Sequence, residues 1–477
     1  MRFGAARILT HPNDRGQGRS GSSTLPTVWT HLGCVHTSVG IAVDRATDGR
    51  PAARQLAMLE PWSVGGDAVP ELEVMLAAVG ILAVVVASSS RWLLWTPLTP
   101  PLLALLLGIA LGPYGLAAVD IPSADHQPVM SVAAELLLAV GLMAVALRHP
   151  LGRLRPIIRP VGWLVGLAMP AMAVAVAGLA GATLGVSVGV AVLLGACLAP
   201  TDPVLAAGVA TGAPAERDVP VRLRELLSLE SGVNDGLALP IVLVAAAIHH
   251  AGTPWGAAGT GLLQVVLGIV VGVGMGVGAG RVLRAAERHG DIEDAARLLF
   301  TLVLTFAVLG TVGVLGGNGL IGVLAAGLAH NGVVAGRDRA AEADIDESMD
   351  QFLLLPTFAL LGTMLPWEGW ATLGWPAAGF TVAVLVLRRL PWSVLLKRPL
   401  GLTWREALWL GWFGPIGVAA IFYLAELRTL GILDPVIWSA GTAVVVASTV
   451  VHGLSAPSGR RLLRSGAHAT AERTGRT

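Results

Sequence analysis

The run GACLAPTDPVLA at residues 195–206 places two prolines and an aspartate in the middle of a long apolar segment. Pro200 and Pro203 each remove a backbone donor and clash with the preceding helical turn. Between them stand Thr201 and Asp202. We therefore expect a membrane helix that unwinds here, because unwound backbone inside a membrane is tolerated where it lines a cavity or meets a ligand. Its carboxylate, hydroxyl and free carbonyl oxygens suit a hard cation or a proton.

The composition around this run is that of a membrane protein with many spans. Of the 477 residues, 54% are hydrophobic and 13% are charged, with a mean hydropathy of +0.71, which is too apolar for a soluble domain. The 32 basic and 31 acidic residues leave a net charge of +1, which excludes nucleic-acid binding as a main activity. Cys34 and Cys197 are too few for a disulfide framework or a cysteine-rich metal site.

Apolar stretches of about 20 residues, the length that crosses the hydrocarbon core, predict about thirteen membrane helices. The predicted spans are 72–90, 93–112, 131–147, 161–184, 186–209, 224–248, 260–283, 298–316, 318–335, 351–366, 372–396, 404–425 and 435–455. Arginines follow spans three, five, seven, eleven and thirteen, and the positive-inside bias makes those loops cytoplasmic. We expect the N-terminus of the first span outside and the C-terminus inside.

The two ends of the chain differ from the predicted transmembrane domain, residues 72–455. Residues 1–71 are predicted to form a disordered tail, because their first 57 residues are rich in Arg, Gly, Ser and Thr and have no long apolar core. The acidic flank that follows suggests that translation starts at or near Met58. Residues 456–477 are predicted to form a cytoplasmic C-terminal tail.

Span seven carries glycines at the spacing that lets membrane helices approach closely. Gly268 and Gly272 are four residues apart, as are Gly274 and Gly278. We expect both pairs to serve close helix packing.

A second polar cluster lies in the run LESGVNDGLALP at residues 229–240. Glu230 and Asn234 are four residues apart, as are Ser231 and Asp235, so all four side chains share roughly one helix face. An ionisable group in a membrane span costs a few kcal/mol on insertion scales and needs a reason. A buried network that only fixes helix packing remains open for the neutral residues, and a transport site is favoured for the acids.

Two arginines at the end of span eleven are candidates to neutralise one buried acid. A guanidinium stays protonated at any relevant pH, so an acid paired with Arg388 or Arg389 stays ionised and is not the carrier. The residues alone do not decide which arginine forms the pair.

Span twelve contains a second break in the run GWFGPIGV at residues 411–418, where Gly414, Pro415 and Gly417 interrupt a helix. Spans five and twelve are seven apart, as two inverted repeats require. Interrupted segments in corresponding halves are typical of inverted-repeat transporters in which the broken helices cross at the substrate site.

The runs APTDPVLA, LESGVNDGLALP, LRRLPWSV and WREALWLGWFGPIGVAAIF resemble the monovalent cation/proton antiporter superfamily, in its Na+(K+)/H+ exchanger branch. The last two runs are similar to fungal plasma-membrane sodium/proton antiporters and their bacterial relatives. The resemblance implies an all-α polytopic fold of two inverted six-helix repeats plus one helix. It also implies a homodimer in the plasma membrane, and a site that binds Na+ (or Li+ or K+) and H+ in turn. No cofactor, enzymatic activity or soluble substrate is implied.

The same resemblance assigns roles to individual residues. The implied ion site comprises Thr201, Asp202, Ser231 and Asp235, and Glu230 would pair with Arg388 or Arg389. Asn234 stands where electrogenic relatives carry a second aspartate, which implies electroneutral exchange. Ile416 stands where many relatives carry an arginine, which leaves the part of this segment in any pH response open.

Three alternatives to sodium/proton exchange remain. A K+/H+ exchanger would use the same residues. An intramembrane aspartyl protease also needs two membrane aspartates, but the TDP and NDG runs lack the glycine-flanked pattern of that class. A pure ion channel would not need a titratable site.

Overall fold

The computed structural model describes residues 68–474, apart from 94, 150, 290–292, 294, 295, 297, 298 and 335. The regular secondary structure of these residues is helical. The first eleven helices are α1 (Ala68–Ser88), α2 (Ser90–Leu93), α3 (Pro100–Leu111), α4 (His126–Arg148), α5 (Leu151–Trp163), α6 (Met169–Leu184), α7 (Val188–Leu198), α8 (Pro203–Ala210), α9 (Gly212–Asp218), α10 (Val221–His249) and α11 (Pro254–His289). The other nine are α12 (Phe300–Val314), α13 (Gly319–Val333), α14 (Gly336–Thr363), α15 (Trp367–Leu387), α16 (Leu390–Leu395), α17 (Lys397–Leu400), α18 (Trp404–Trp412), α19 (Val418–Glu426) and α20 (Pro435–Thr474).

Each predicted span coincides with one helix or with neighbouring helices separated by a short interruption. Among the described residues, seven helical stretches are long and apolar enough to cross a membrane, and the bent pair α7 and α8 is an eighth candidate. Four apolar helical segments are shorter: Pro100–Leu111, Phe300–Val314, Gly319–Val333 and Phe352–Thr363. The prediction of an all-helical protein with several membrane spans is confirmed.

The predicted domain boundaries do not coincide with helix ends in the structure. Most of the predicted N-terminal tail, including Met58, lies outside the described residues, and α1 already begins at Ala68. At the other end, α20 continues through residue 455 to Thr474, so the boundary predicted there falls inside a helix. The extension contacts α9, because Nη1 of Arg464 lies 3.7 Å from Oδ1 of Asp218. Within α9, Arg217 donates hydrogen bonds of 2.8 and 3.1 Å to the same carboxylate. The Arg217 hydrogen bonds hold the pKa of the Asp218 carboxyl below its usual range.

Helix α4 lies at the centre of the protein. Its residues 137–147 are all buried, and it packs against α13, α14 and α19. Because α4 is covered on every side in this stretch, its sequence is apolar without the polar face that a surface helix carries.

Helices α11 and α13 pack closely, and this contact uses only one of the two predicted glycine pairs. A Cβ on Gly272 would overlap the backbone carbonyl of Gly322, and one on Gly268 would overlap that of Asn318. By contrast, Gly274 and Gly278 face open space. The prediction for the second pair was wrong because these residues lie on a different face of the helix from the four-residue ridge that meets α13.

This asymmetry gives a testable prediction for stability. We expect Gly272→Ala to lower the melting temperature in detergent, because overpacking against backbone costs roughly 1–3 kcal/mol. Gly278→Ala is the matched control: its methyl group meets nothing, so the variant should melt at or slightly above the wild-type temperature. Equal melting of the two variants would contradict the assigned packing face.

Candidate functional site

The breaks in spans five and twelve lie against each other. Helices α7 and α8 are bent by 41° at the first break, and residues 413–417 separate α18 from α19. The Asp202 amide donates to the Pro415 carbonyl over 3.0 Å. Four of the five predicted helix breakers lie inside the two breaks, whereas Pro203 is the first residue of α8, where its missing N–H is not needed.

Asp202 caps the N-termini of two half-helices at once. One carboxylate oxygen accepts from the amides of Val204 (2.7 Å) and Leu205 (3.2 Å) at the start of α8. The other accepts from the amide of Val418 at the start of α19. The residue is 1% exposed. The backbone donors and the positive ends of two helix dipoles would compensate a negative charge at this buried position.

Arg388 donates hydrogen bonds to carbonyl oxygens that the two breaks leave without a helical partner. Its Nη1 donates to the carbonyls of Leu198, Ala199 and Pro200 at 2.9, 2.9 and 2.7 Å. Its Nη2 donates to the carbonyl of Gly414 in the other break. Asp202 and Arg388 thus satisfy the exposed backbone of both breaks from opposite ends.

Arg389 is the arginine that pairs with Glu230. The sequence alone did not decide between Arg388 and Arg389. The two terminal nitrogens of Arg389 donate to the two carboxylate oxygens at 3.1 and 2.8 Å, and both side chains are buried. Arg389 also donates from Nε to the carbonyl of Leu410 over 3.1 Å. Since Arg388 is engaged by carbonyl groups, the two adjacent arginines serve different partners.

Asn234 ties the polar face of α10 to the first break. Its Oδ1 accepts from the Thr201 amide (3.1 Å), while its Nδ2 donates to Thr201 Oγ1 (2.5 Å) and to Glu230 (2.8 Å). Ser231 also reaches Thr201 Oγ1, at 3.4 Å. An asparagine supplies both a donor and an acceptor here, whereas an ionised aspartate would supply only acceptors. For Asn234 and Thr201, the geometry matches a network that holds the break in place.

Asp235 differs from every other acid in this cluster. It is 0% exposed, and neither carboxylate oxygen has a hydrogen-bond partner among the described residues. The charges that act on it are those of Asp202 and Glu230, both negative. A buried carboxylate without donors is costly to keep ionised, so the site demands a proton or a bound cation.

Two residues beside Asp235 were missed by the sequence reasoning. Tyr423 donates its hydroxyl to the Asp235 carbonyl at 2.5 Å, and no pattern in the sequence marked it. Asn318 donates to the Gly236 carbonyl at 2.7 Å. A signal for the second existed, because Pro240 has no N–H and leaves that carbonyl without its helical donor.

The described residues contain no group of three or more His, Cys, Asp or Glu side chains that could hold a resident metal ion. Among the described residues, the candidate site is centred on the Asp235 carboxylate, which has no hydrogen-bond partner, next to the two helix breaks.

Comparison with known proteins agrees with this architecture. The chain is 29% identical over 293 residues to a Na(+)/H(+) antiporter of Schizosaccharomyces pombe, covering 55% of this chain and 62% of that protein. It is 36% identical over 256 residues to a Na(+)/H(+) antiporter of Saccharomyces cerevisiae, covering 50% of this chain and 25% of that protein. The chain thus matches between a quarter and about three fifths of the length of these relatives.

The fold is similar to that of the sodium proton antiporter MjNhaP1 from Methanocaldococcus jannaschii, solved at pH 8. The TM-score is 0.63 at 18% sequence identity, over 82% of this chain and 97% of that chain. The family model described as "Sodium/hydrogen exchanger, transmembrane" matches residues 78–458. With both helix breaks and the bare carboxylate inside that range, this multi-pass membrane protein belongs to the transmembrane sodium/hydrogen exchanger family.

Proposed function

We propose that the protein is a secondary active antiporter that exchanges Na+, or Li+ or K+, for H+ across the plasma membrane and so serves pH and cation homeostasis. The observation that carries the proposal is Asp235, a fully buried carboxylate that has no hydrogen-bond donor among the described residues and lies near the two helix breaks. The names of the two fungal relatives support the same activity.

The mechanism we propose is competition at one carboxylate. Glu230 is compensated by Arg389, and Asp202 by backbone amides, so neither has to change its charge during transport. Asp235 holds either a proton or a cation, with the hydroxyl groups of Ser231 and Thr201 and the Asp202 carboxylate as further oxygen groups of the proposed site. An elevator-like or rocking motion of the core bundle then carries whichever is bound. The empty charged site is expensive to move through lipid, which couples the two fluxes.

The test is cation-induced proton flux in vesicles that contain the purified protein, with Na+, Li+ and K+ added separately. We expect a pH change inside the vesicles on addition of Na+ or Li+. A response to K+ alone would replace sodium/proton exchange by the K+/H+ alternative. No response to any of the three cations would overturn the proposal. The protease alternative has less support, because both carboxylate oxygens of Asp202 already accept hydrogen bonds from backbone amides.

We predict electroneutral exchange, because Asp235 is the one acid of the cluster that has no hydrogen-bond partner among the described residues, and Asn234 cannot carry a proton. Vesicles held at two membrane potentials with identical ion gradients should reach the same internal pH. Net charge transfer would be driven by about 2.3 kcal/mol per elementary charge per 100 mV, which is large enough to see. An end point that depends on the potential would mean that a second proton moves and that Asp202 or Glu230 has to be reassigned as a carrier.

We also propose a homodimer whose lipid-facing surface includes α11, with the N-terminus of the first span outside and the C-terminus cytoplasmic. Large apolar side chains of α11 are exposed, among them Leu262, Leu263 and Val270, as contact with lipid requires.

Cross-linking in native membranes tests the dimer. Accessibility of cysteines placed in the arginine-rich loops tests the sidedness, and labelling from the outside would reverse it.

A further inference from the structure

The turn of α10 that carries Asp235 is held by side chains from two other segments of the chain. Tyr423 of α19 donates its hydroxyl to the Asp235 carbonyl over 2.5 Å, and Asn318, the residue before α13, donates Nδ2 to the Gly236 carbonyl over 2.7 Å. Tyr423 and Asn318 are 0% and 3% exposed. Two consecutive backbone carbonyl groups at the proposed carrier are therefore fixed by contacts from outside the helix.

Pro240 explains why this turn needs support from outside. It has no N–H for the Gly236 carbonyl four residues earlier, and a proline ring also presses against the carbonyl at that position. A membrane helix tolerates a proline where neighbouring side chains satisfy the freed carbonyl group, and Asn318 does so here. The geometry of the turn around Asp235 therefore depends on Asn318 and Tyr423 as well as on the helix itself.

Asn318 is itself fixed in place. Its Oδ1 accepts the Ile321 amide over 3.1 Å at the start of α13, and its own amide donates to the Gln264 carbonyl of α11 over 2.9 Å. Gly236 packs tightly against the same segment, because a Cβ on it would overlap the side chain of Ile321. The Nδ2 group is thus presented to α10 from a rigid position.

Helix α19 connects this turn to the Asp202 cap. Its first amide, that of Val418, donates to the Asp202 carboxylate, and Tyr423 follows five residues later. Five residues of helix span about 7.5 Å. Residues 418–425 are all buried, so this stretch of α19 is a packed spacer between the two acids. The Tyr423 hydroxyl is the group that ties the spacer to the turn of Asp235.

The spacing of the oxygen groups decides which cation fits between them. The proposed site combines the carboxylates of Asp235 and Asp202 with the hydroxyl groups of Ser231 and Thr201. Selection among hard cations by oxygen ligands depends on the size of the cavity and on how rigidly the ligands are held. A proton needs only one carboxylate oxygen, so its binding depends less on this spacing. Loosening the turn should therefore change the preference among cations more than it changes proton binding.

We propose that Tyr423 and Asn318 are positioning residues that fix Asp235 relative to Asp202 and thereby determine which monovalent cations the site accepts. Neither side chain has to contact the transported ion. The effect on cation preference rests on the proposed antiport function, whereas the anchoring of the turn does not.

The first measurement is the half-saturating concentration of Li+, Na+ and K+ for proton flux in vesicles. Tyr423→Phe removes only the hydroxyl group, and Asn318→Ser keeps a residue that caps α13 but is too short to reach Gly236. In both variants we expect the ratio between the least and the most effective cation to narrow by at least about threefold. A cation without measurable flux is assigned the highest concentration tested. This ratio does not depend on the amount of folded protein, so a loss of stability alone leaves it unchanged.

Thr305→Val is the matched control. Thr305 is fully buried in α12, and its hydroxyl donates within its own helix to the Thr301 carbonyl over 2.8 Å. The substitution removes a buried hydroxyl group, and its cation ratio should match the wild type. An unchanged ratio in Tyr423→Phe or in Asn318→Ser would overturn the proposal for that residue. Equal half-saturating concentrations of all three cations in the wild type would overturn it for both, because there would be no preference to determine.

The second measurement needs no transport. It is amide hydrogen exchange of a peptide covering 229–241 in the purified protein. Both variants should exchange faster than wild type in this peptide by at least about threefold, because the loss of one buried hydrogen bond loosens the turn. Thr305→Val should exchange like the wild type. Exchange equal to wild type in both variants would show that these side chains do not anchor the turn and would overturn the proposal.

Two outcomes separate this inference from the function on which it rests. Wild-type vesicles without flux for any cation, combined with faster exchange in both variants, would refute the antiport proposal and leave the anchoring of the turn supported. Wild-type flux, combined with faster exchange but unchanged cation ratios in the variants, would refute the control of cation preference and leave antiport supported.

Discussion

Asp235→Asn should abolish cation-dependent proton exchange and leave membrane insertion and folding intact. The carboxylate has no hydrogen-bond donors among the described residues, so an amide of the same shape breaks no contact. The substitution removes the carboxylate, which is the group that binds a proton or a cation in turn. The measurement is Na+-induced flux in vesicles at matched protein content. Exchange above about a tenth of the wild-type rate, a loss of less than roughly 1.4 kcal/mol, would contradict the assignment.

Asp202→Asn is the matched control, and we expect it to lower stability rather than to leave folding intact. Its carboxylate accepts three backbone amides, from Val204, Leu205 and Val418. An asparagine can accept on one side only, and its NH2 group would face at least one N–H donor. Leaving such a buried donor unsatisfied costs about 1–3 kcal/mol, so we expect a lower melting temperature in detergent. A variant that melts like wild type but has no exchange would show that Asp202 acts in transport itself, as an ion ligand or a carrier, and not only as a cap.

Glu230→Gln should produce the second large effect, a strong loss of folded protein. It leaves the guanidinium of Arg389 buried without its counter-charge. Removing one partner of a buried ion pair costs roughly 3–5 kcal/mol, whereas removing both costs less. The readout is the yield of monodisperse protein in detergent together with its melting temperature.

The double variants identify the partner. Glu230→Gln with Arg389→Gln should recover part of the lost stability. Glu230→Gln with Arg388→Gln should be worse than the single change, because Arg388 also satisfies carbonyl oxygens of both breaks. Rescue by the Arg388 change, and not by the Arg389 change, would show that the pairing is wrong.

Much of the fold could be predicted because it depends on consecutive residues. Apolar stretches mark spans, and the prolines at 200, 203 and 415 mark the places where a helix cannot continue. The four-residue spacing from Glu230 to Asn234 and from Ser231 to Asp235 marks one polar helix face. These features also carry the family resemblance, so the class of protein and the candidate acids followed from the sequence.

The glycines of α11 show a feature of the fold that the sequence could not predict, namely which face of a helix packs against its neighbour. Spacing within one helix indicates that a close approach is possible, but not which face the neighbouring helix takes. The structure places Gly268 and Gly272 against α13 and leaves Gly274 and Gly278 facing open space. The packing face is set by α13, which begins 30 residues after the end of α11 (319 − 289).

The division between the acids was likewise decided by tertiary structure. Asp202 and Asp235 look alike in sequence, as do Arg388 and Arg389, but Asp202 is compensated by an amide 216 residues away and Arg389 by a carboxylate 159 residues away. Hydrophobicity and helix breaking are properties of adjacent residues, and the sequence by itself determined the spans, the breaks and the candidate acids. Which buried charge receives a partner depends on how distant segments pack, and only the tertiary structure decided that Asp235 receives none from the described residues.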